Sequence, residues 1–406
     1  MSAPSLADAP WLTAAATRKV IAALEAEGGP DVARFVGGCV RNSLMGRPVS
    51  DVDIATRLQP EAVMAALKAA GLKAVPTGLD HGTVTAVADS QPFEITTLRR
   101  DVTTDGRRAT VAFTTDWAED AGRRDFHINA LYTDGEGRVF DPTGQGLADI
   151  AARRVVFVGD AGRRIREDRL RILRFFRFHA WYGAGDPDAA GLAACVEEAG
   201  GLGELSAERV SKELLKLLAA SDPVPTVEVM AHTGILAHLL PEARTLEAFR
   251  AMAAVTGDPL LRLSSLLPAS AEALDAAARG LRLSNREMAR LQGLIGPKLD
   301  LETLADRQVR ALVYGEGRQA AGDRLVQALS RKPEQRGRYD ALVDLVQTWS
   351  VPRLPVGGRE VAALGVAPGP ETGALLKAFE AGWVAEDFPE TGHVERLKAL
   401  RDQREG

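Results

Sequence analysis

FVGGCVRNSLMGRPVSDVDIAT, residues 35–56, decides how the chain is read. Its first part, with the preceding Ala33-Arg34, is a short β-rich run that ends in Gly37-Gly38 and opens a helix. A strand that turns on glycine into a helix exposes backbone N–H groups to an anion, and glycine lets a phosphate come close. Arg41, one turn into that helix, adds a cation suited to a charge-assisted contact. The end of the stretch is Asp51-Val52-Asp53. On a strand, residues two apart share a side, so two carboxylates stand together. Their mutual repulsion asks for a cation, and magnesium takes carboxylates together with substrate phosphates. Two metals held in this way can activate a hydroxyl and stabilise a leaving pyrophosphate. Two solvated aspartates at a strand end are the plainer alternative.

Outward from this stretch, residues 11–27 have helical apolar spacing and Pro60–Gly71 reads as a helix closed by glycine. TVTAVA (83–88) and FEITTL (93–98) read as strands joined by a hairpin turn in DSQP, with further strands near Val111–Phe113, Arg138–Asp141 and Val155–Val158. Beyond Gly162 the strand signals fade. Residues 163–182, 206–220 and 224–240 are helical in pattern, Ser206 is placed as an N-cap, and helical periodicity continues through 241–350. Val351-Pro352-Arg353-Leu354-Pro355 breaks the pattern before a last segment. The fold class is α+β, with an expected division into a head (1–150), a neck (151–240), a body (241–350) and a tail (351–406).

The chain has 406 residues, 46% hydrophobic and 26% charged, the make-up of a globular protein with a sizeable core. Membrane association is not expected, since no apolar run approaches a span, and the N-terminus does not read as a secretory signal. Two cysteines exclude a disulfide scaffold and suit a reducing cytosol. The net charge of −5 argues against nucleic acid, but residues 153–177 hold nine arginines and three acids, a local excess of six positive charges. That run is either a solvated helix face or a surface for phosphates and bases.

Three more groups carry chemistry. Glu94 lies on the polar side of its strand, so it is a surface glutamate or, if that strand pairs beside Asp53, a third acid. Arg123-Arg124-Asp125-Phe126-His127-Ile128-Asn129 mixes cations, an acid and an amide at an expected helix start, suited to a triphosphate and a ribose. Along 163–182, Glu167, Arg171 and Arg174 share a helix face with Asp168 beside it, and Arg177 lies further round. An aspartate and an arginine side by side can read a base edge. Cytosine and adenine both place an amino donor next to a ring-nitrogen acceptor, so Asp168 would accept and Arg171 donate, while uracil and guanine would be repelled. The alternative is an ordinary Glu167–Arg171 ion pair.

Taken in order, GGCVRNSLMGRPVSDVDIAT, FEITTLRRDVTTDGRRATVAFTTDW, RRDFHINALY, FDPTGQGLADI and IREDRLRILRFFRF resemble the class II tRNA nucleotidyltransferases, the CCA-adding enzymes, which share head and neck with bacterial poly(A) polymerases. LSAERVSKELLKLL, HTGILAHLLPE and the tail string from Leu354 to Trp383 extend the likeness. The resemblance implies a small mixed-sheet nucleotidyltransferase head, like the polymerase β palm, followed by helical neck, body and tail. It implies addition of C, C and A to tRNA from CTP and ATP, with tRNA as partner and Mg2+ as cofactor; A-tail synthesis and addition of A alone are the other activities of such chains. By the same resemblance Asp51 and Asp53 hold the metal, and Glu94 is the third catalytic acid. Gly37, Gly38, Arg41, Arg124 and Asp125 bind the nucleotide's phosphates and ribose. Asp168 and Arg171 read the base beside Arg174 and Arg177, and Asp101–Thr110 is a flexible loop needed to pass from CTP to ATP. Asn42 stands where the family usually has Asp, and His127 where Thr is common.

Overall fold

The computed structural model describes residues 4–105, 108–243 and 246–405, apart from the side chains of residues 80, 101–111 and 405. It divides into two compact units, residues 1–241 and 242–406.

The first unit opens with α1 (Pro10–Thr13) and α2 (Ala15–Gly28), then β1 (Ala33–Val36), α3 (Gly38–Leu44), β2 (Asp53–Thr56) and α4 (Pro60–Ala69). Next come β3 (Lys73–Gly78), β4 (Thr83–Ala88), β5 (Gln91–Thr97), β6 (Arg99–Asp105), β7 (Arg108–Phe113), α5 (Trp117–Gly122), β8 (Tyr132–Thr133) and β9 (Val139–Phe140). Helices then take over with α6 (Gly146–Ala152), α7 (Ala161–Glu167), α8 (Leu170–Tyr182), α9 (Ala189–Glu197), α10 (Ala207–Leu218), α11 (Val224–His232) and α12 (Ile235–Leu239).

Seven strands form one mixed sheet in the order β3-β4-β5-β2-β1-β8-β9. The pair β2–β5 is parallel and its neighbours are antiparallel. Strand alternation sorts the two faces. Phe35, Ile54 and Ile95 point into a core shared with α2 and α4, while Val36 and Ala55 lie on the opposite face with Trp117 and Tyr132. The turn between β4 and β5 is only Asp89-Ser90, both at positive φ (49° and 65°), which matches the twist of a two-residue hairpin. Pro76 is tolerated because β3 is an edge strand.

Several local expectations are corrected. Val155–Val158 makes one isolated bridge, Phe126 to Phe157, instead of a strand, because Asp160 already caps α7 by accepting from Arg163 N at 2.6 Å. The segment 163–182 is two helices, not one. Asp168 between them is extended (φ −154°, ψ 104°), and its carboxylate accepts from the Leu170 N–H at 3.1 Å, which starts α8 afresh. Residues 224–240 break at Gly234 (φ 79°), where α12 begins. Ser206 stands at the N-cap of α10 without a side-chain capping bond. Arg123 ends α5, so the Arg-Arg-Asp group follows a helix end instead of opening a helix. The backbone of the expected 101–110 loop belongs largely to the antiparallel ribbon β6–β7; Gly106 and Arg107 lie outside the described residues.

The second unit holds α13 (Glu247–Val255), α14 (Pro259–Ser265), α15 (Ala271–Gly280), α16 (Asn285–Gln292), α17 (Asp306–Arg331), α18 (Arg336–Thr348), α19 (Gly358–Ala363), α20 (Pro370–Ala385) and α21 (His393–Glu405). One core lies between α17 and α18, around Leu325, Leu329 and Leu342. Another, around Val361, Phe379 and Trp383, gathers α19 to α21.

Candidate active site

Register brings the acids together. β1 stops at Val36, opposite Asp53, because Gly37 takes a left-handed φ of 72° and turns the chain into α3. On the other side of β2, Asp53 is the direct partner of Glu94 in β5. This is the pairing on which Glu94's membership of an acid cluster depended. Asp51 is not in the strand. It is exposed two residues before β2, because β1, having turned at Gly37, offers it no partner, and it accepts from its neighbour Ser50 Oγ at 2.9 Å. The Asp53 carboxyl is pushed up to about 6 by burial and by the charges of Glu94 and Asp51, against which Arg124 acts.

Arg124 supplies the opposite side. Its Nε and Nη2 donate to Asp120 Oδ2 at 3.2 and 2.9 Å, and Nε also meets the Tyr132 hydroxyl at 3.1 Å. A Cβ on Gly37 would stand 3.9 Å from Nη1, so this arm of the guanidinium faces the glycine turn. Asp120 is the anchor: it is 1% exposed, and it also accepts from Arg123 Nη2 (2.7 Å) and the Tyr132 hydroxyl (2.7 Å). Burial alone would raise its carboxyl, but the two arginines and the hydroxyl hold it well below the usual range. Asp53, Glu94, Thr96, Arg99, Asp120, Arg123 and Arg124 line one cavity of about 200 Å³. The acids Asp53 and Glu94 share this cavity with the guanidiniums of Arg99, Arg123 and Arg124, the mix an anionic phosphate chain with a counter-cation needs.

Asp125 and Arg41 lie further from the acids. Asp125 Oδ2 accepts from Arg174 Nε and Nη2 at 2.8 and 2.6 Å, and Oδ1 accepts from Asn129 Nδ2 at 2.9 Å. Burial pushes this carboxyl up, and Arg174 with Asn129 brings it below the ordinary value. Asn129 Oδ1 in turn accepts from Arg41 Nη1 at 2.5 Å. Arg41 also bonds the Tyr182 hydroxyl at 2.8 Å and stacks 4.0 Å from that ring's centroid. Arg174 and Arg177 share the buried Glu213 of α10, at 3.9 and 2.5 Å. The aromatics of α8 are core: Phe175, Phe176 and Phe178 are buried, and Phe175 stacks on Phe157 at 5.5 Å.

Asp168 sits in the extended break before α8 and Arg171 in the first turn of α8, and their side chains are engaged elsewhere. Asp168 Oδ2 accepts from Arg209 Nη2 at 2.8 Å. Arg171 Nη1 donates to Glu167 Oε2 at 2.7 Å, so the Glu167–Arg171 ion pair is present; its Nη2 reaches the Arg123 carbonyl at 3.4 Å, next to the cavity. Sequence reasoning missed Asp120, Glu213 and Arg209, whereas Asn129 was singled out as the amide of the Arg123–Asn129 group. Asp120 carried a signal, since it precedes Arg123 and Arg124 by three and four residues, the spacing at which an acid in a last helical turn meets cations that follow it. Arg209 and Glu213 are likewise four apart on the polar side of α10. Nothing in the sequence showed which face of α10 meets α8.

The donor set suits a magnesium ion. Asp53 faces Glu94 across a strand pair with Asp51 close by, and a cation would offset both the burial and the like charges that lift Asp53. Among the described residues no three acids, histidines or cysteines already converge into a metal cage. Magnesium bound by one or two carboxylates plus substrate phosphates does not require one.

Comparison with known proteins agrees with this architecture. Residues 33–156 match the poly A polymerase head domain, and 188–254 match a probable RNA- and SrmB-binding site of polymerase A. The mouse mitochondrial CCA tRNA nucleotidyltransferase 1 is 35% identical over 366 residues, 86% of this chain and 82% of that protein. The CCA-adding enzyme of Geobacillus stearothermophilus is 40% identical over 210 residues, 51% of this chain and 50% of that one. The crystal structure of the Bacillus stearothermophilus CCA-adding enzyme in complex with CTP superposes with a TM-score of 0.79 at 26% identity, covering 97% of this chain and 99% of that one. With the mouse enzyme 35% identical over 86% of this chain and 82% of its own length, this protein belongs to the CCA-adding tRNA nucleotidyltransferase family.

Proposed function

We infer that the chain adds C, C and A in turn to the 3′ end of tRNA, taking CTP and ATP and releasing pyrophosphate without a nucleic-acid template. One observation carries this reading: a single unit holds the Asp53–Glu94 acid pair and Arg124 around one cavity, and Arg171 of the arginine-rich helix α8 reaches that cavity's edge at Arg123.

In this reading the triphosphate lies between the glycine turn and Arg124, with Arg41 behind the turn. The tRNA 3′-hydroxyl attacks the α-phosphorus in line, the new P–O bond forms as the α–β bridge breaks and pyrophosphate departs, and the hydroxyl proton passes to solvent water. Magnesium, held by Asp51 and Asp53, would supply charge neutralisation on the phosphates and a more acidic hydroxyl. Asp125, fixed by Arg174 and Asn129, meets the ribose. Asp168 keeps Arg209 on one oxygen and has lone pairs left for an amino group, since each carboxylate oxygen accepts more than one bond. Arg171 holds Glu167 through Nη1, so its Nη2 edge is the one to meet a ring nitrogen. Each such contact separates right from wrong bases by about 1–3 kcal/mol. The division into head, neck, body and tail, with tRNA contacts in the tail, belongs to the same proposal. So does a cytosolic location, which two buried, unpaired thiols favour.

The test is primer extension on tRNA transcripts ending at the discriminator base, at C and at CC, with magnesium and each nucleotide in turn. The expected result is C, C, then one A, and then a stop. A long A tail on any RNA end would move the chain to poly(A) synthesis and remove the base-reading role of Asp168 and Arg171.

A further inference from the structure

Trp181, in the last turn of α8, is placed differently from the chain's other tryptophans. Each of those meets an aromatic ring: Trp11 meets Phe35, Trp117 meets Tyr132, and Trp349 and Trp383 both meet Phe388. Trp181 is half-buried, and among the described residues its ring meets no other aromatic ring and no cation. Its hydrogen bond runs from Nε1 to the Lys216 carbonyl of α10 at 2.7 Å. That bond satisfies the indole N–H and fixes the ring, so what the indole still offers is a face.

The seam that Trp181 ends is cationic. α8 and α10 run alongside each other, and three contacts mark the seam in order: Asp168 with Arg209, Arg174 and Arg177 with Glu213, and Trp181 with Lys216. Trp181 lies seven residues beyond Arg174, on the same face of α8 and about 10 Å further along it. On α10, Lys212 and Lys216 are exposed and make no ion pair among the described residues. The acid next to Lys212, Glu213, is buried and already holds Arg177. Burial and the charge of Arg177 press the Lys216 ammonium below its ordinary value.

In the functional reading above, the incoming nucleotide occupies the start of this seam, its base at Asp168 and Arg171 and its ribose at Asp125, which Arg174 holds. The attacking 3′-hydroxyl belongs to the last nucleotide of the RNA, so that nucleotide lies beside the incoming one. Its base changes between the first addition and the later ones, whereas its π-face and its phosphate do not change. A fixed indole face beside free ammonium groups recognises what stays constant, because stacking and phosphate contact are tolerant of sequence. We propose that Trp181 and Lys216 form the seat of the tRNA 3′ end: the indole stacks on the terminal base of the strand awaiting extension, and the Lys216 ammonium meets its phosphate. The inference rests on the reading of α8 as the base-selecting helix.

The experiment uses the full chain and tRNA transcripts ending at the discriminator base, at C and at CC. Filter binding without nucleotide gives Kd for tRNA, extension gives KM for tRNA and for CTP or ATP, and a thermal melt gives Tm. Trp181→Leu keeps apolar bulk and removes the π-face. It is expected to raise Kd and KM for all three transcripts about tenfold, and KM for the nucleotides by less than about twofold. Trp181→Phe keeps a face without the N–H and is expected to hold tRNA affinity within about threefold of wild type. Lys216→Ala leaves the main-chain carbonyl, and so the Trp181 bond, in place. It is expected to lower the slope of log affinity against log salt by roughly one unit. If Trp181→Leu lowers Tm but not tRNA affinity, or if Trp181→Phe loses as much affinity as Trp181→Leu, Trp181 is a staple between α8 and α10 and the proposal fails. A nucleotide KM that rises as far as the tRNA KM overturns it as well. Wild-type protein that binds tRNA without extending it overturns the functional reading instead, and the seat stands if Trp181→Leu still weakens that binding.

Discussion

Asp53 and Asp125 are both shielded carboxylates of the first unit, and their surroundings push them in opposite directions. Asp53 is shielded from water and stands among acids, Glu94 across the strand and Asp51 before it, and burial together with these charges lifts its carboxyl to about 6 against the pull of Arg124. Asp125 stands among donors, Arg174 and Asn129, and its carboxyl is held below the ordinary value. The difference separates two kinds of buried charge. A group matched by the chain's own cations belongs to the scaffold that sets geometry. A group left among like charges is matched only when a ligand arrives, so it marks where the chemistry takes place.

The largest effect tests the unmatched group. Asp53→Ala is expected to cut nucleotide transfer by at least about a thousandfold, the scale of losing several kcal/mol of phosphate-charge stabilisation, while tRNA affinity stays near wild type in a filter-binding assay. Asp53→Asn should lose activity equally yet keep or raise Tm, because it removes repulsion with Glu94. A clear drop in Tm would place Asp53 with the scaffold and collapse the contrast.

Asp125→Asn reverses the pattern. It strands Arg174, and breaking one side of a buried pair typically costs ~3–5 kcal/mol. Arg174 is 31% exposed and keeps Glu213 within 3.9 Å, so about 2 kcal/mol is expected in a denaturation measurement. The pH dependence follows from the sign of the shift. The folded value lies below the unfolded one, about 3.9. The stabilisation is therefore complete above that pH and is lost as pH falls from there through the lower folded value. Asp125→Asn should flatten the acid limb of a Tm profile, and an unchanged limb would remove Asp125 from the ion-pair scaffold.

The same contrast explains what the sequence revealed. The strand, glycine turn and helix around Gly37 and the hairpin at Asp89-Ser90 are local, set by glycine and short-range alternation, and both were legible. The pairing of Asp53 with Glu94 is a register between strands forty residues apart, which alternation limits to a face but does not fix. The arginine run was the most misleading signal. Counted within 153–177 it has an excess of six, yet Arg154 pairs with Asp149, Arg166 and Arg169 with Glu198, Arg174 with Asp125 and Arg177 with Glu213. Its counter-ions lie outside the window, brought in by tertiary packing. The break at Asp168 was equally hidden, because the capping bond to Leu170 competes with a helix whose apolar spacing runs straight through it.

Arg171 belongs to neither class alone, since Glu167 holds it and a base has to meet it. Arg171→Ala is expected to raise UTP incorporation relative to CTP about tenfold, the low end of what one base-edge contact discriminates, with a smaller change in Tm than Asp125→Asn causes. Selectivity equal to wild type would assign Arg171 to the scaffold with Asp125.

The smallest effect separates scaffold from RNA surface within the arginine run. Arg163 is 74% exposed and only 3.3 Å from Glu167, which keeps Arg164 and Arg171 at 2.7 Å each. Removing it leaves no buried charge unpaired, so Arg163→Ala should leave Tm where it was. If its guanidinium meets a tRNA phosphate, the slope of log affinity against log salt should fall by roughly one unit, because one fewer counterion is released. A slope identical to wild type would mean that Arg163 faces water alone, and that RNA contact in this unit must come from cations elsewhere on its surface.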